Sequence, residues 1–451
     1  MAKIDFDRLM AAILHGDGIG RIAVAVSGGA DSMALCLLAD QWAKSNDIAL
    51  QAVIVDHGLR PGSADEAATV GGWLAARNID HQILVWQEEK PEAGVQAAAR
   101  KARYRLMTDW CIDNQIKYLL VAHHLEDQVE TFLMRLHRGS GVDGLASMAL
   151  NYVFQNVQIL RPLLTQSKKQ LKEFLKESNQ DWIEDPSNQD PAYARTQIRA
   201  LVGRLEDHGL SAERLGGIVR QFSSLKQFLQ LPVNAFVESQ CHLAPEGYAT
   251  FDLAVLKQLP DAIISRVIIR LVGLVGGGEY PPRQKKLLRA VNVLKQGNVS
   301  GFTLGGCNFL VSDKTSGSHE IMICREAREK SRVQVSAGDA IVWRNVFDLQ
   351  FESFNANPDM ANDGGTNEKV YLRPLGKSGW AKIIKDRPDL KDISVPFQVR
   401  LTLPALFDQR GVFEAPLLGY RREAAIYDTP PPPVTFKLAH FKALTERDAG
   451  E

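Results

Sequence analysis

Apolar positions in the first half of the chain fall into two alternating kinds of run. Ile22 to Val26, Ala49 to Arg60 as far as Asp56 and His57, His81 to Trp86, and Tyr118 to Ala122 are short and mostly apolar, the pattern of strands buried on both faces. Longer stretches lie between them. M-A-L-C-L-L-A-D-Q-W after Ser32 has the length and composition of a helix, Ser63 and Glu66 form an S-x-x-E capping box, and Gly94 to Asn114 reads as a long helix. In Leu125 to Leu136, the residues Leu125, Val129, Phe132, Leu133 and Leu136 make one buried stripe. Strand alternating with helix predicts an α/β fold: a parallel sheet with helices on both faces. Ligands of such sheets bind beyond the carboxyl ends of the strands.

The second half changes character. Arg214 to Leu229 reads as a helical linker, and Ala262 to Val275 as an apolar helix that follows Pro260 and ends at Gly276 to Gly278. A further helix has Leu287, Leu288, Val291 and Leu294 as its buried side, and G-F-T-L-G-G-C-N-F-L-V-S and H-E-I-M-I-C-R read as hairpin strands ending near Arg325. Asn355 to Lys369 is polar and rich in Gly and Asn, an exposed loop, and Pro430 to Pro433 is a stiff run that begins a tail. The expected division is a catalytic domain over residues 1–215, a helical or mixed middle domain over 216–330, a small α+β C-terminal domain over 331–435, and a tail over 436–451.

Chemistry enters at the first strand-to-helix junction, S-G-G-A-D-S from Ser27 to Ser32. Gly28 and Gly29 let the backbone turn tightly and bring its amides near a ligand, and Ser32 is placed to cap the helix, so the junction is an anion site. It has no lysine, as a Walker loop requires, and no third glycine, as the dinucleotide fingerprint requires. Asp56 and His57 end the next strand. Beyond the fourth strand, Asp127, Glu130 and Thr131 share one helix face with His124 near its N-terminus, which leaves these carboxylates a free face toward Mg²⁺ or an amine substrate. Arg100 and Arg103 share a face beside Tyr104 and suit phosphate recognition.

With 451 residues, the length prior is about three domains. Lys+Arg and Asp+Glu are 53 each, so no global basic field draws the protein onto nucleic acid and any RNA contact is local. The local patch is Arg283, Lys285, Lys286, Arg289 and Lys295, cations with no acid between them, able to track an RNA backbone. The five cysteines are scattered with no C-x-x-C pair, which fits a reducing cytoplasm and offers no zinc, cluster or redox dithiol. The run Leu9 to Leu14 is too short for a signal core or a membrane span, so neither export nor membrane insertion is expected.

S-G-G-A-D-S resembles the pyrophosphate-binding loop of the PP-loop ATP pyrophosphatases, of adenine nucleotide alpha hydrolase-like fold. Together with V-D-H-G-L-R, A-H-H-L-E-D-Q-V-E-T, R-G-S-G-V-D-G-L, R-P-L-L and W-I-E-D-P-S-N-Q-D, in that order over most of the first 200 residues, it resembles the tRNA(Ile)-lysidine synthetase family. Y-L-R-P-L-G-K-S-G-W and V-R-L-T-L-P-A-L-F-D resemble the family's C-terminal domain. One departure is A-R-T-Q-I-R, where Arg195 and Arg199 match and Thr196 replaces the usual asparagine.

The resemblance implies that ATP adenylates the C2 oxygen of the wobble cytidine in an isoleucine tRNA with anticodon CAU, and that free L-lysine then displaces AMP. It implies that Ser27, Gly28, Gly29, Ala30, Asp31, Ser32, Asp56 and His57 hold ATP, that Asp31 and Asp127 hold Mg²⁺, and that Arg103 and Arg195 stabilise charge. His124, Asp127 and Glu130, with Arg283, Lys285, Lys286 and Arg289, would meet lysine and tRNA, and which carboxylate meets the lysine stays open, as does the oligomeric state, a homodimer included. The rivals are a PP-loop tRNA thiolase and a non-enzymatic, ATP-responsive RNA-binding protein.

Overall fold

The computed structural model describes residues 4–14, 19–59, 62–91, 93–184, 194–278, 280–297, 300–313, 319–327, 332–353, 369–423 and 434–441. Arg60, the D-P-S-N-Q-D part of the fifth motif, residues 355–368 and the proline run lie outside the described residues, as does the side chain of Arg195. The chain forms two compact units, Met1–Gln227 and Phe228–Leu444.

The first unit runs α1 (Phe6–Ala11), β1 (Arg21–Val26), α2 (Ala30–Ser45), β2 (Ala49–Asp56), α3 (Ser63–Ala76), β3 (Asp80–Val85), α4 (Val95–Asp113), β4 (Tyr118–Leu120), α5 (Leu125–His137), α6 (Val142–Leu145), β5 (Asn151–Phe154), β6 (Val157–Leu160), α7 (Lys168–Glu177), α8 (Ala194–Asp207) and the start of α9 (Ala212–Gln240). The strand order is β3-β2-β1-β4-β6-β5, parallel except for the β5–β6 pair at one edge.

Both faces are covered, which explains the unbroken apolar strands. Ile22, Val24 and Val26 of β1 face Met33 and Leu37 of α2, Leu74 of α3 and Leu171 of α7. Ala23 between them faces the other way, into a cluster with Val53 of β2 and Tyr104, Met107 and Cys111 of α4. The order reverses between β1 and β4, so the loops leaving these neighbouring strands diverge to opposite sides and leave a crevice at their carboxyl ends.

Local expectations needed two corrections here. Ser63 is not the cap of α3: Gly62, at φ 89°, holds that position, and Ser63 is already helical. In α5, Leu125, Val129 and Phe132 pack on Leu145, Ala212, Leu215 and Val219, but Leu136 is exposed because the cluster ends a turn earlier.

The second unit opens with β7 (Cys241–Ala244), β8 (Tyr248–Asp252), α10 (Leu253–Lys257), α11 (Asp261–Gly276), α12 (Gln284–Gln296), β9 (Phe302–Leu304), β10 (Cys307–Asp313) and β11 (His319–Arg325). Its antiparallel sheet, β7-β8-β11-β10-β9, buries Phe251, Phe309, Ile321 and Ile323 against Val267, Leu271, Val291 and Leu294 of the helices. Then follow β12 (Val333–Val335), β13 (Ala340–Trp343), β14 (Phe347–Ser353), β15 (Val370–Pro374), α13 (Gly376–Asp386), α14 (Phe397–Arg400), β16 (Pro404–Asp408), β17 (Gly411–Ala415), β18 (Tyr420–Arg421) and β19 (Val434–Phe441). They form a sheet β12-β15-β16-β17-β18 and a ribbon β13-β14-β19.

Tyr248, Leu310 and Met322 of the first of these sheets pack on the Trp380 and Val399 cluster, so the regions expected as middle and C-terminal domains share one compact unit. The segment expected to start the tail is instead strand β19, hydrogen-bonded along β14. Among the described residues no helix is long and apolar enough to cross a membrane.

Glycine decides one junction in this unit. Gly277 ends α11 at φ 69°, and a Cβ there would lie 1.9 Å from the Arg344 backbone oxygen, whereas a Cβ on Gly273 would meet nothing within 4 Å. Gly277→Ala is expected to lower unfolding free energy by about 2 kcal/mol or more, while Gly273→Ala raises it by about 0.5–1 kcal/mol. Urea titration of the two variants against wild type checks the opposite signs.

Candidate active site

The loop after β1 is tied from within. Ser32 Oγ accepts the Ser27 backbone N–H at 3.0 Å and donates to the Gly29 carbonyl at 3.0 Å, with Ser27 Oγ 3.1 Å away. Ser32 therefore does not cap α2. Gly29 is the cap residue and makes no side-chain cap bond, which leaves the first-turn amides of a 16-residue helix open to an anion. Gly28 stands at φ 82°, where a Cβ would lie 2.6 Å from Val70 Cγ2, and its carbonyl accepts the Ile183 N–H at 2.8 Å. Only glycine fits there.

Across the switch point, β4 ends in His123 and His124. His124 occupies the cap position of α5 and is buried; its Nε2 lies 3.4 Å from Asp31 Oδ2 and 3.5 Å from Asp127 Oδ2, and its Nδ1 lies 2.8 Å from Glu126 Oε2. Asp127 Oδ2 also accepts the His124 backbone N–H at 3.2 Å, closing a capping box. Both Glu126 oxygens accept the Lys168 N–H at the start of α7, at 3.0 Å, and Lys168 Nζ is 3.7 Å from Asp31 Oδ2. Burial opposes charge on His124, but hydrogen bonds to Asp31 and Glu126 and the charges of Asp127 and Asp31 outweigh it and lift the pKa to about 10. His124 is an imidazolium at neutral pH.

Its neighbours are neutral for the opposite reason. Burial pushes His123 down to about 3, with Arg161, Arg100 and Arg103 acting in the same direction against Asp127. His57 is lowered by burial and by Arg103 and Lys90, against Asp56. Arg103 thus acts on both histidines at the crevice, and Arg100 and Arg103 lie 5.2 and 5.7 Å from the Tyr104 ring. The crevice carries a carboxylate side and a guanidinium side.

The structure brings together Ser27, Gly28, Gly29, Ala30, Asp31, Ser32, His124 and Asp127. Asp56 ends β2 nearby and accepts the Gly58 N–H at 2.9 Å, so part of its capacity serves a local turn. Glu130 needs correction. It is 2% exposed, not on a free face, and Arg199 Nε donates to its Oε1 at 2.5 Å, because α8 packs over that part of α5. Arg195 lies on the backbone of α8. Arg283, Lys285, Lys286 and Arg289 belong to the second unit, all four exposed, and among the described residues none is ion-paired; Lys295 pairs with Asp261.

Glu126, Lys168 and His123 were missed. Glu126 and His123 lie inside the quoted A-H-H-L-E-D motif, and the S-K-K-Q capping box of Ser167 and Gln170 marked the start of the helix that carries Lys168.

A metal fits the acidic side. Asp31 Oδ1 is buried without a hydrogen-bond partner, and the Oδ2 atoms of Asp31 and Asp127 flank one nitrogen. Among the described residues no three His, Cys, Asp or Glu groups form a closed cage. Two carboxylates completed by substrate phosphate oxygens are the donor set that Mg²⁺ prefers.

Sheet, loop and crevice define a PP-loop protein, and the PP-loop domain model matches residues 3–205. Over 406 residues the chain is 33% identical to the tRNA(Ile)-lysidine synthase of Ruegeria pomeroyi, spanning 88% of this chain and 89% of that one. Over 412 residues it is 37% identical to the tRNA(Ile)-lysidine synthase of Wolbachia pipientis wMel, spanning 89% of each. The chain belongs to the tRNA(Ile)-lysidine synthase family, and it is an ATP-using enzyme. Among solved structures, the U34-tRNA thiolase NcsA of Methanococcus maripaludis superposes with a TM-score of 0.42 at 17% identity, over 49% of this chain and 78% of that one.

Asp31→Asn and Asp127→Asn are each expected to slow pyrophosphate release roughly a hundredfold or more, since each removes a charge from the acidic side that a metal fits. Asp127→Ala also loses half of the capping box, worth about 1 kcal/mol, and should still unfold cooperatively. Single-turnover rates and thermal melts of the same samples separate the two effects.

Proposed function

We propose that this enzyme joins free lysine to C2 of the wobble cytidine of the CAU-anticodon isoleucine tRNA in two steps that share one crevice. The observation that carries the reading is the meeting of the open N-terminus of α2 with the Asp31, His124 and Asp127 cluster: a phosphate cradle beside acids that suit an ammonium. In the first step the cytidine C2 oxygen attacks the α-phosphorus of ATP, the α–β bond breaks, and pyrophosphate leaves. In the second, the lysine side-chain amine, having lost a proton, attacks C2, and the C2–O bond breaks with AMP as the leaving group. Oxide is a poor leaving group and AMP a good one, so the first step makes the second feasible.

The chain's own groups divide the work. The α2 amides and the Ser27–Ser32 loop hold phosphates, Arg103 neutralises charge on the nucleotide, and Arg195 is assigned the same work from the resemblance. Asp31 and Asp127 would hold Mg²⁺, which would supply charge neutralisation on the phosphates, and Asp127 is the carboxylate left for the lysine ammonium, since Glu130 is committed to Arg199. Residues 1–215 carry catalysis, and residues 216–330 and 331–435 position the tRNA. Holding three reactants in one pocket contributes several kcal/mol through effective molarity.

Sulfur chemistry is disfavoured by the thiols. Burial raises Cys36, Cys111, Cys241 and Cys307 to about 12 and Cys324 to about 11. At neutral pH none is a thiolate ready to carry sulfur, and five free thiols fit a reducing cytoplasm.

With ATP, Mg²⁺, labelled lysine and the CAU isoleucine tRNA, label is expected on the wobble cytidine, with AMP and pyrophosphate rather than ADP as products. Replacing all five cysteines by serine or alanine should leave labelling intact in a folded variant, and methionine tRNA with the same anticodon should stay largely unlabelled. Sulfur incorporation in place of lysine would refute the reading.

The basic helix supplies a second test. Arg283, Lys285 and Lys286 crowd the N-terminus of α12, where cations oppose the helix dipole at a cost of about 0.3–1 kcal/mol each. Lys285→Glu with Lys286→Glu should raise the stability of the unit while weakening tRNA binding and flattening its log–log salt dependence by about one to two. Melting temperature and filter binding across KCl concentrations read both signs.

A further inference from the structure

The second unit holds a cavity that the proposed catalysis does not use. About 390 Å³ in volume, it opens on the sheet β12-β15-β16-β17 and is lined by Arg332, Lys369, Tyr371, Arg373, Phe407 and Gln409, with Asp408 and Gly411 at the turn. Tyr371 and Arg373 are two apart on β15 and so share a face, and Phe407 of β16 stands directly opposite Tyr371. The lining alternates cation and ring: Arg373 lies 3.7 Å over the Phe407 ring and Arg332 lies 5.1 Å over the Tyr371 ring.

Among the described residues its charge is uncompensated. Arg332 and Lys369 are exposed, and neither they nor Arg373 form an ion pair among the described residues. The one acid at the wall, Asp408, is engaged by Arg422, with both side chains 1% exposed, and by the Arg410 N–H at 2.8 Å. Arg373 Nε is buried and has no hydrogen-bond partner among the described residues. A buried donor left unpaired is costly, and Arg373 lines the cavity beside two further cations.

We propose that this cavity is a nucleotide subsite for the tRNA, taking one unpaired nucleotide. Its phosphate meets Arg332, Lys369 and the Arg373 guanidinium, and its base stacks against the cation–ring pairs Arg373–Phe407 and Arg332–Tyr371. The inference rests on the reading that this enzyme acts on tRNA. The volume lies in the range of small-molecule sites, and a concave pocket suits a base turned out of a helix, whereas duplex RNA presents a broad backbone surface. Arginine planes and aromatic rings are what unpaired RNA bases stack on. The same chemistry would accept a free nucleotide, and the arms of the test separate the two.

Full-length wild type, Arg332→Ala, Lys369→Ala, Arg373→Ala and Arg373→Lys are compared for filter binding of the CAU isoleucine tRNA across KCl concentrations, and for KM of ATP and of tRNA. Arg373→Ala should raise the tRNA Kd and KM on the order of tenfold, and each alanine variant should flatten the salt slope by about one phosphate contact. Arg373→Lys keeps the charge but loses the planar fork, so it should restore the slope and not the affinity. KM for ATP should be unchanged throughout. Arg332 and Lys369 are exposed, so their variants should melt as wild type even if those at Arg373 do not.

Unchanged tRNA affinity and slope in Arg332→Ala and Lys369→Ala, with wild type binding and modifying tRNA, would overturn the subsite and leave the enzymatic reading intact. A raised KM for ATP with unchanged tRNA affinity would overturn it in favour of a free nucleotide. Wild type that binds no tRNA would remove the functional reading and the subsite with it.

Discussion

A buried imidazolium organises the catalytic crevice. His124 stands where α5 leaves β4, and its two ring nitrogens and its backbone N–H reach Asp31 of α2, Glu126 and Asp127. Three carboxylates this close would repel one another, and a cation among them offsets that repulsion. Burying that cation costs several kcal/mol by itself, so ring and acids stabilise one another or not at all. Glu126 carries the link further, to the first amide of α7, and Lys168 closes back on Asp31. Two helices on opposite sides of the switch point are thereby tied to a third.

The arrangement sorts charge within one small volume. Acids collect around His124, while burial, together with Arg161, Arg100 and Arg103, keeps His123 neutral. The proposed reaction uses both kinds of surface, the cationic one for phosphates and the anionic one for metal and amine. Glu130 shows how narrow the allotment is: one turn along α5 from Asp127, it faces α8 and is spent on Arg199.

In the second unit, charge is placed where stability alone would not put it. Cations crowd the positive end of α12, and Arg373 leaves a buried N–H unpaired beside Arg332 and Lys369. Both features weaken the fold in isolation, and both would be relieved by a bound polyanion. The neutral sum of charges over the chain conceals these patches, because acids elsewhere balance them.

Strand order along the chain, the glycine loop and the helix faces were legible because they depend on local periodicity and on backbone conformations that particular residues require. Gly28 at φ 82° and the apolar runs of β1 and β2 are of this kind. The separation of Asp127 from Glu130 was not legible, since both lie on the same helical stripe and only the docking of α8 decides which is covered. Nor did local pattern reveal that Gly29 rather than Ser32 caps α2, or that β19 returns to pair with β14 instead of trailing as a tail. Local sequence determined which residues face which way along each element. Which of those faces met another element, and so which charges stayed available for chemistry, was decided only when segments distant in the chain packed together.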